Sequence, residues 1–186
     1  MGVSTVAQLI AKGKAQNAYN NAGIASDPAW MDLFNDALRD LVDDINIQKP
    51  FNIAYDGTTR EYDLPSDYFS VVLLDDQSGN RVTKRRSYDQ TSFGYFAMFR
   101  GSKWIMDLYK NGFAQTLTGL YIAYPTALTT LTDLPDVPTV GEMALPYYAI
   151  GKALRNQNQV GQAQEIEELY EKERLKIRTA ANRGGG

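Results

Sequence analysis

Two carboxylate pairs, Asp43 with Asp44 and Asp75 with Asp76, are the residues of this chain whose types and spacing come closest to chemistry. Two carboxylates facing each other across a cleft serve as general acid and base, or as ligands for a hard cation. Their sequence context argues against both uses. Asp43 falls on the polar arc of a helical pattern, and Asp75 and Asp76 lead into the turn residues QSGN, where a carboxylate hydrogen-bonds the turn backbone. DDQSGN is also out of register with a calcium loop, because counting back from Gly79 puts Leu74 where the first acidic ligand belongs. The chain has no cysteine and no histidine, which removes thiol nucleophiles, Ser-His-Asp triads, disulfides and the usual zinc ligands. The serines show no Ser-Lys spacing, and the glycines form neither GxGxxG nor GxxxxGK[ST], so no phosphate cradle is expected. The sequence predicts no catalytic residue, no bound cofactor and no metal site.

The remaining candidates are cationic. Lys84, Arg85 and Arg86, with Arg81 just before them, form the densest basic cluster, suited to DNA phosphates or an acidic partner surface. The competing reading is a charged edge strand that blocks aggregation. In the final helix the acids Glu165, Glu167, Glu168, Glu171 and Glu173 precede the bases Lys172, Arg174, Lys176, Arg178 and Arg183, an order that suits the helix dipole. Ile166, Leu169, Tyr170 and Ile177 share one face while Leu175 points almost opposite, and from Arg174 onward there are bases and no acids. That combination reads as an arm that docks on a partner. The whole chain is mildly acidic, with a net charge of -3, so global attraction to nucleic acid is not expected.

Positioning these residues takes a fold of ordinary composition. The 186 residues, 44% hydrophobic, suffice for one domain with a sizeable insertion around a real core. Lysine and glycine break up the start MGVSTVAQLIAKGKAQ, and no apolar run is long enough to span a bilayer, so neither a signal peptide nor a membrane contact is expected. Val3, Val6, Leu9, Ile10 and Gly13 share a helical face. A second helix opens with Asp27 as N-cap and Pro28 as first residue, and Trp30, Leu33, Phe34, Ala37, Leu38, Leu41 and Ile45 form its broad apolar face. From Lys49 and Pro50 the pattern alternates. FNIAYDGTTREYDLP predicts a hairpin about Asp56 and Gly57, YFSVVLLDD with QSGN and RVTKRR a second, and KWIMDLY with Asn111, Gly112 and residues 116–124 a third. SYDQTSFGYFAMFRGS reads as a short helix and a loop. TALTTLTDLPDVP is extended and pinned to the surface, and helices resume over 141–158 and from about Gln162 onward. Strands and helices are segregated, so the expected class is α+β. It consists of a helical bundle core of about four long helices, residues 1–50 and 139–186, with a β-rich insertion, 51–138, between helices 2 and 3. Twelve tyrosines exceed the needs of a core and point to interfaces.

The order of these segments carries a resemblance. STVAQLIAK, PAWMDLFNDALRDLV, the strand pair leading to EYDLPSDYFSVV, the run LYIAYPTALTTLTDLPDVP and the closing helices LPYYAIGKAL and AQEIEELYEKERLKI together resemble the head-to-tail adaptor (connector or neck) proteins of tailed bacteriophages. The block from Tyr124 and Pro125 to Val137 and Pro138, followed by Tyr147 and Tyr148, carries most of it. The resemblance implies a non-enzymatic virion structural protein, a homo-oligomeric ring of twelve copies beneath the portal protein at the capsid vertex. It implies a tail or nozzle/stopper protein as the other partner, and double-stranded DNA passing through the channel without sequence-specific contact. Such a protein is assembled in the host cytoplasm and resides in the neck. The family's C-terminal segment reaches onto the portal, which gives Arg174, Leu175, Lys176, Arg178 and Arg183 a docking role. The alternatives are a stopper or tail-completion protein of the same neck, a carboxylate-based cell-wall hydrolase, and a sugar-binding β module built on Trp104 and the tyrosines.

Overall fold

The computed structural model describes residues 3–20, 22–85, 93–109 and 114–184. The chain divides into two compact units, Met1–Asn46 with Pro125–Gly186, and Ile47–Tyr124. The segment 125–138, expected in the insertion, thus lies in the helical unit.

The helical unit contains α1 (Val6–Asn20), α2 (Asp27–Asp40), α3 (Val42–Ile45), a 3-10 turn (Thr139–Gly141), α4 (Ala144–Asn156) and α5 (Val160–Gly184). The expected bundle of four long helices is not what these elements make. Among the described residues there are five helices, four of them of 13 to 25 residues, and seven strands in two sheets. A bundle requires each helix to give an apolar stripe to two neighbours. Here α4 is the hub: it packs on α1, α2 and α5, and Ala144, Leu145, Ala149, Ile150, Gly151 and Leu154 are all buried. α1 buries a narrow stripe, Val6, Leu9 and Ile10, and meets α2 where the Trp30 ring lies against Gly13 and where Lys14 pairs with Asp27 at 2.7 Å.

α2 begins one residue earlier than its sequence suggests. Ser26 is the N-cap, its hydroxyl accepting the Ala29 N–H at 3.4 Å, and Pro28 is the second helical residue. The helix also stops at Leu41 (φ -89°, ψ 1°) instead of running to Ile45, and α3 ends on Asn46 in the left-handed region (φ 54°). The break re-aims the chain so that Leu41, Val42, Asp44 and Ile45 are all buried.

Loop 125–138 is tied to the first two helices. Asn35 clasps the backbone of Leu128, donating to its carbonyl at 3.0 Å and accepting its N–H at 2.7 Å. The carbonyls of Leu131 and Asp133 accept the Ala7 and Val6 N–H groups at 2.9 and 3.0 Å, which caps orphan donors at the start of α1. Farther on, the 3-10 turn approaches α5 so closely that a Cβ on Gly141 would sit 2.2 Å from Ile177 Cγ1. Gly141→Ala is therefore expected to cost about 2 kcal/mol in urea unfolding, and less in an Ile177→Ala background, which a double-mutant cycle would show.

The sheet unit contains β1 (Gln48–Tyr55), β2 (Glu61–Asp63), β3 (Tyr68–Asp75), β4 (Thr83–Lys84), β5 (Gly94–Arg100), β6 (Lys103–Tyr109) and β7 (Gln115–Ala123). They form two sheets, β1-β7-β3 and β2-β6-β5-β4, antiparallel except for β4 with β5. Phe51, Ile53, Leu74, Leu117 and Tyr121 of the first sheet share one core with Tyr95, Met106 and Leu108 of the second.

The expected hairpins are largely replaced by pairing across the sequence. β1 does not turn back on β2 but pairs with β7 from Gln48 opposite Ile122 to Tyr55 opposite Gln115, where Gly119 leaves room for the Phe51 ring. The turn at Asp56 instead hands the chain to the other sheet. Its carboxylate accepts the Thr58 and Thr59 N–H groups at 2.8 and 2.6 Å, and Gly57 takes φ 85°. After β3 the QSGN turn forms as expected, but the return is a single bridge, Asp75 to Arg81, before the chain leaves for β4. Asn111 and Gly112 lie outside the described residues, and the flanking β6 and β7 join different sheets. The segment expected as helix and loop supplies β5, which makes a hairpin with β6 on Gly101 (φ 68°). Four of the tyrosines, Tyr55, Tyr68, Tyr95 and Tyr121, are core residues here, so the tyrosine count is no measure of interface. Trp104 is half-buried and packs against that core, edge-on to Tyr68 at 5.2 Å.

Candidate assembly surface

α5 has no glycine or proline between Gly161 and Gly184, and its acid-to-base order matches the helix dipole. Ala163, Ile166, Tyr170 and Ile177 are buried at spacings of three, four and seven, which lays one side of the helix on the unit. Charge completes the attachment. Asp44 on α3 is 2% exposed, and Arg174 Nε donates to its Oδ2 while Arg178 donates from Nε and its terminal nitrogen to Oδ1 at 2.7 and 2.6 Å. The spacing of four brings both guanidiniums to one face of α5. One turn earlier Tyr170 Oη donates to Asp40, and burial together with that bond pushes its phenol well above its ordinary range. Burial alone would lower the Arg174 guanidinium, but the Asp44 hydrogen bond and charge outweigh it and the net shift is upward. Arg155 of α4 makes a two-pronged pair with Glu167.

Arg174 and Arg178, expected in a docking arm, are therefore engaged within the molecule. Leu175, Lys176 and Arg183 are not drawn inward. Leu175 is 62% exposed and stands beside Val140, 59% exposed, on the 3-10 turn, and with Thr179 and Ala180 they wall an open apolar groove. Lys172, Lys176 and Arg183 rim it, and among the described residues no carboxylate lines it. Lys176 also pairs with Glu173 within the helix at 2.6 Å.

The second basic cluster lies in the sheet unit, and its described members have different surroundings. Arg81 pairs with Asp75 at 2.7 Å. Lys84 is exposed on the short strand β4, as expected of an edge. Arg85 is half-buried, its N–H donating to the Tyr95 carbonyl at 2.8 Å and its side chain lying over Gly94. Arg86 lies outside the described residues.

The carboxylate pairs come apart. Asp43 is exposed while Asp44 is buried, and Asp75 meets Arg81 while Asp76 accepts the Ser78 and Asn80 N–H groups, each at 2.8 Å. Elsewhere in the sheet unit Glu61 pairs with Arg100, Asp63 with Lys103, Asp67 with Lys49 and Asp107 with Arg60. The Thr59 hydroxyl and N–H hold Asp56 well below the usual carboxylate range, and the Asn80 bonds hold Asp76 low. Burial raises Asp67, but Lys49 and Tyr121 outweigh it and the net shift is again downward. A general acid needs the opposite shift. Among the described residues no group of acids is placed to hold a metal ion.

Sequence reasoning missed Asp40 and Asp44 as anchors of α5, and Val140 as the second wall of the groove. The first had a signal: Asp40 and Asp44, and Arg174 and Arg178, are oppositely charged pairs with the same spacing of four. Val140 had none, because its partner lies 35 residues away on another element.

The model of the SU10 adaptor protein family matches residues 4–185, nearly the whole chain and both units. No curated protein matches the sequence.

Proposed function

The chain belongs to the SU10 adaptor protein family, an adaptor family of phage structural proteins, and from that premise we propose that it is a head-to-tail adaptor. In this reading twelve copies close a ring between portal and tail in the neck of the virion, around the channel through which DNA leaves, after assembly in the host cytoplasm. The family match over residues 4–185 carries the proposal. Supporting it are exposed apolar side chains on the helical unit, Leu134, Val140 and Leu175, which a lone protein leaves in water and an assembly covers. A net charge of -3 suits a channel along which DNA slides without being held.

Portal docking is assigned to the C-terminal end of α5 about Arg183, since Arg174 and Arg178 hold the helix to its own unit. Lys84, outward on β4, is the base of the second cluster best placed to touch a partner or phosphate. A tail or stopper protein is the proposed neighbour on the opposite side of the ring.

The test is the mass of the complex formed with the portal by the intact chain and by a chain ending at Ala180. That truncation removes Arg183 and spares Ile177 and Arg178, which the fold requires. A ring-sized complex from the intact chain alone supports both the adaptor reading and docking through the end of α5. Rings from both chains would move the docking site elsewhere, and rings from neither would overturn the adaptor reading.

A further inference from the structure

The groove between the 3-10 turn and α5 is apolar at its walls, Val140 and Leu175, and cationic at its rim, Lys172, Lys176 and Arg183. The same unit carries the complementary shape. Loop 125–138 presents Leu134, 58% exposed, with Leu131 beside it, between the carboxylates of Asp133 and Asp136. Neither carboxylate meets a cation among the described residues. Asp133 is held at a pKa of about 2 by the Thr130 hydroxyl first, then by the Thr129 and Thr130 N–H groups, and Asp136 accepts the Thr126 N–H at 2.8 Å. Asp133 stays anionic, and both side chains brace the loop.

Leu134 is therefore a fixed knob. Its loop is clasped by Asn35, caps α1 through two carbonyls, and buries Leu128 and Val137 on either side. A preorganised apolar side chain flanked by charge loses little entropy on docking. The knob lies by the start of α1, where the Asp133 carbonyl accepts the Val6 N–H, and the groove lies between the 3-10 turn and α5. Two different, complementary patches on one copy make a head-to-tail contact that repeats from copy to copy, as a closed ring needs.

We propose that the groove receives Leu134 of a second copy of this chain, the 125–138 loop of one copy seated on α5 of the next. The proposal rests on the ring reading above and names its subunit contact. Leu134 packs between Val140 and Leu175, and Asp133 and Asp136 meet Lys172 and Lys176 at the rim, leaving Arg183 to the portal.

The absence of cysteine makes the test direct. Full chains carrying Leu134→Cys, Leu175→Cys or both are assembled into phage particles and oxidised, and the multimer is released and its mass measured before and after denaturation. Both positions are exposed, so the substitutions leave the core intact. The expected result is a covalent ladder longer than a dimer from the double variant, with each single variant giving no more than a dimer, since only a head-to-tail contact brings the two thiols within disulfide reach all round the ring. A multimer that falls apart to single chains after oxidation overturns the contact and leaves the ring standing. Particles holding no multimer overturn both. As a second readout, Leu134→Lys, which sets a cation against the basic rim, is expected to lower incorporation more than Leu134→Glu, and equal loss would count against the charge match.

Discussion

Asp44→Ala is expected to destabilise the protein by about 3 kcal/mol, because the substitution strands two guanidiniums that converge on one buried carboxylate. The loss is placed at the lower end of the usual range since Arg178 is 57% exposed and regains water once released, whereas Arg174, at 27%, regains less. Three comparisons separate this from a generic core defect. Asp44→Asn keeps an acceptor and is expected to fall between wild type and Asp44→Ala. Arg178→Ala is expected to cost under about 1 kcal/mol, as a half-exposed pair does. The Asp44→Ala loss should also persist in high salt, since a buried pair is screened far less than a surface one. Urea unfolding of the four proteins checks all of this. A loss for Asp44→Ala no larger than for Arg178→Ala would mean that Asp44 is no anchor for α5.

Trp30→Ala should cost more, about 4 kcal/mol, in the middle of what removing a buried aromatic ring does. Trp30 is fully buried, lies edge-on to Phe34 at 5.8 Å, and fills the space that Gly13 leaves on α1. It packs between α1 and α2, which the exposed Lys14–Asp27 pair also joins at 2.7 Å, so the cavity opens between two helices that touch little. The total stability of a domain is about 5–15 kcal/mol, so this variant lies near the folding threshold. Trp30→Phe distinguishes packing from polarity. The indole Nε1 is buried without a hydrogen-bond partner among the described residues, so phenylalanine restores most of the apolar contact and removes an orphan donor. It is expected to recover more than half of the loss. A Trp30→Phe variant as unstable as Trp30→Ala would show that the indole's shape, and not its buried area, is what matters.

The elements that can be read locally were read from their own residues. The apolar stripe of α1, the broad face of α2 and the inward Ile166, Tyr170 and Ile177 of α5 follow from helical spacing, and the outward aim of Leu175 from the same arithmetic. What failed was pairing at a distance. A turn at Asp56 says that the chain reverses, but whether β1 then meets β2 or β7 depends on which surface can bury Phe51 and Ile53, and Gly119 provides that surface 68 residues later. The four-helix bundle failed for a related reason. Counting helices does not show which is buried on several sides, and here α4 is, which leaves α1 and α2 as neighbours of the hub more than of each other. Burial also changed the meaning of charges. Arg174 and Arg178 look like a free basic arm until Asp44 is seen beneath them, because a charge pattern along one helix carries no record of what the next element presents.

The helical unit is made from two stretches of chain with the whole sheet unit between them. During synthesis residues 47–124 emerge as one continuous piece, and their strand pairs can close while the ribosome is still translating. The helical unit has to wait: α1 lacks its cap until Leu131 and Asp133 appear, α2 lacks its hub until α4 does, and Asp44 stays without its two cations until Arg178 has left the exit tunnel. Non-local contacts of this kind make folding slow. Early α1 and α2, with Trp30, Phe34 and Leu38 uncovered, therefore pass through a period in which chaperones are their natural company, and the last two helices act as the step that commits the subunit to its final form.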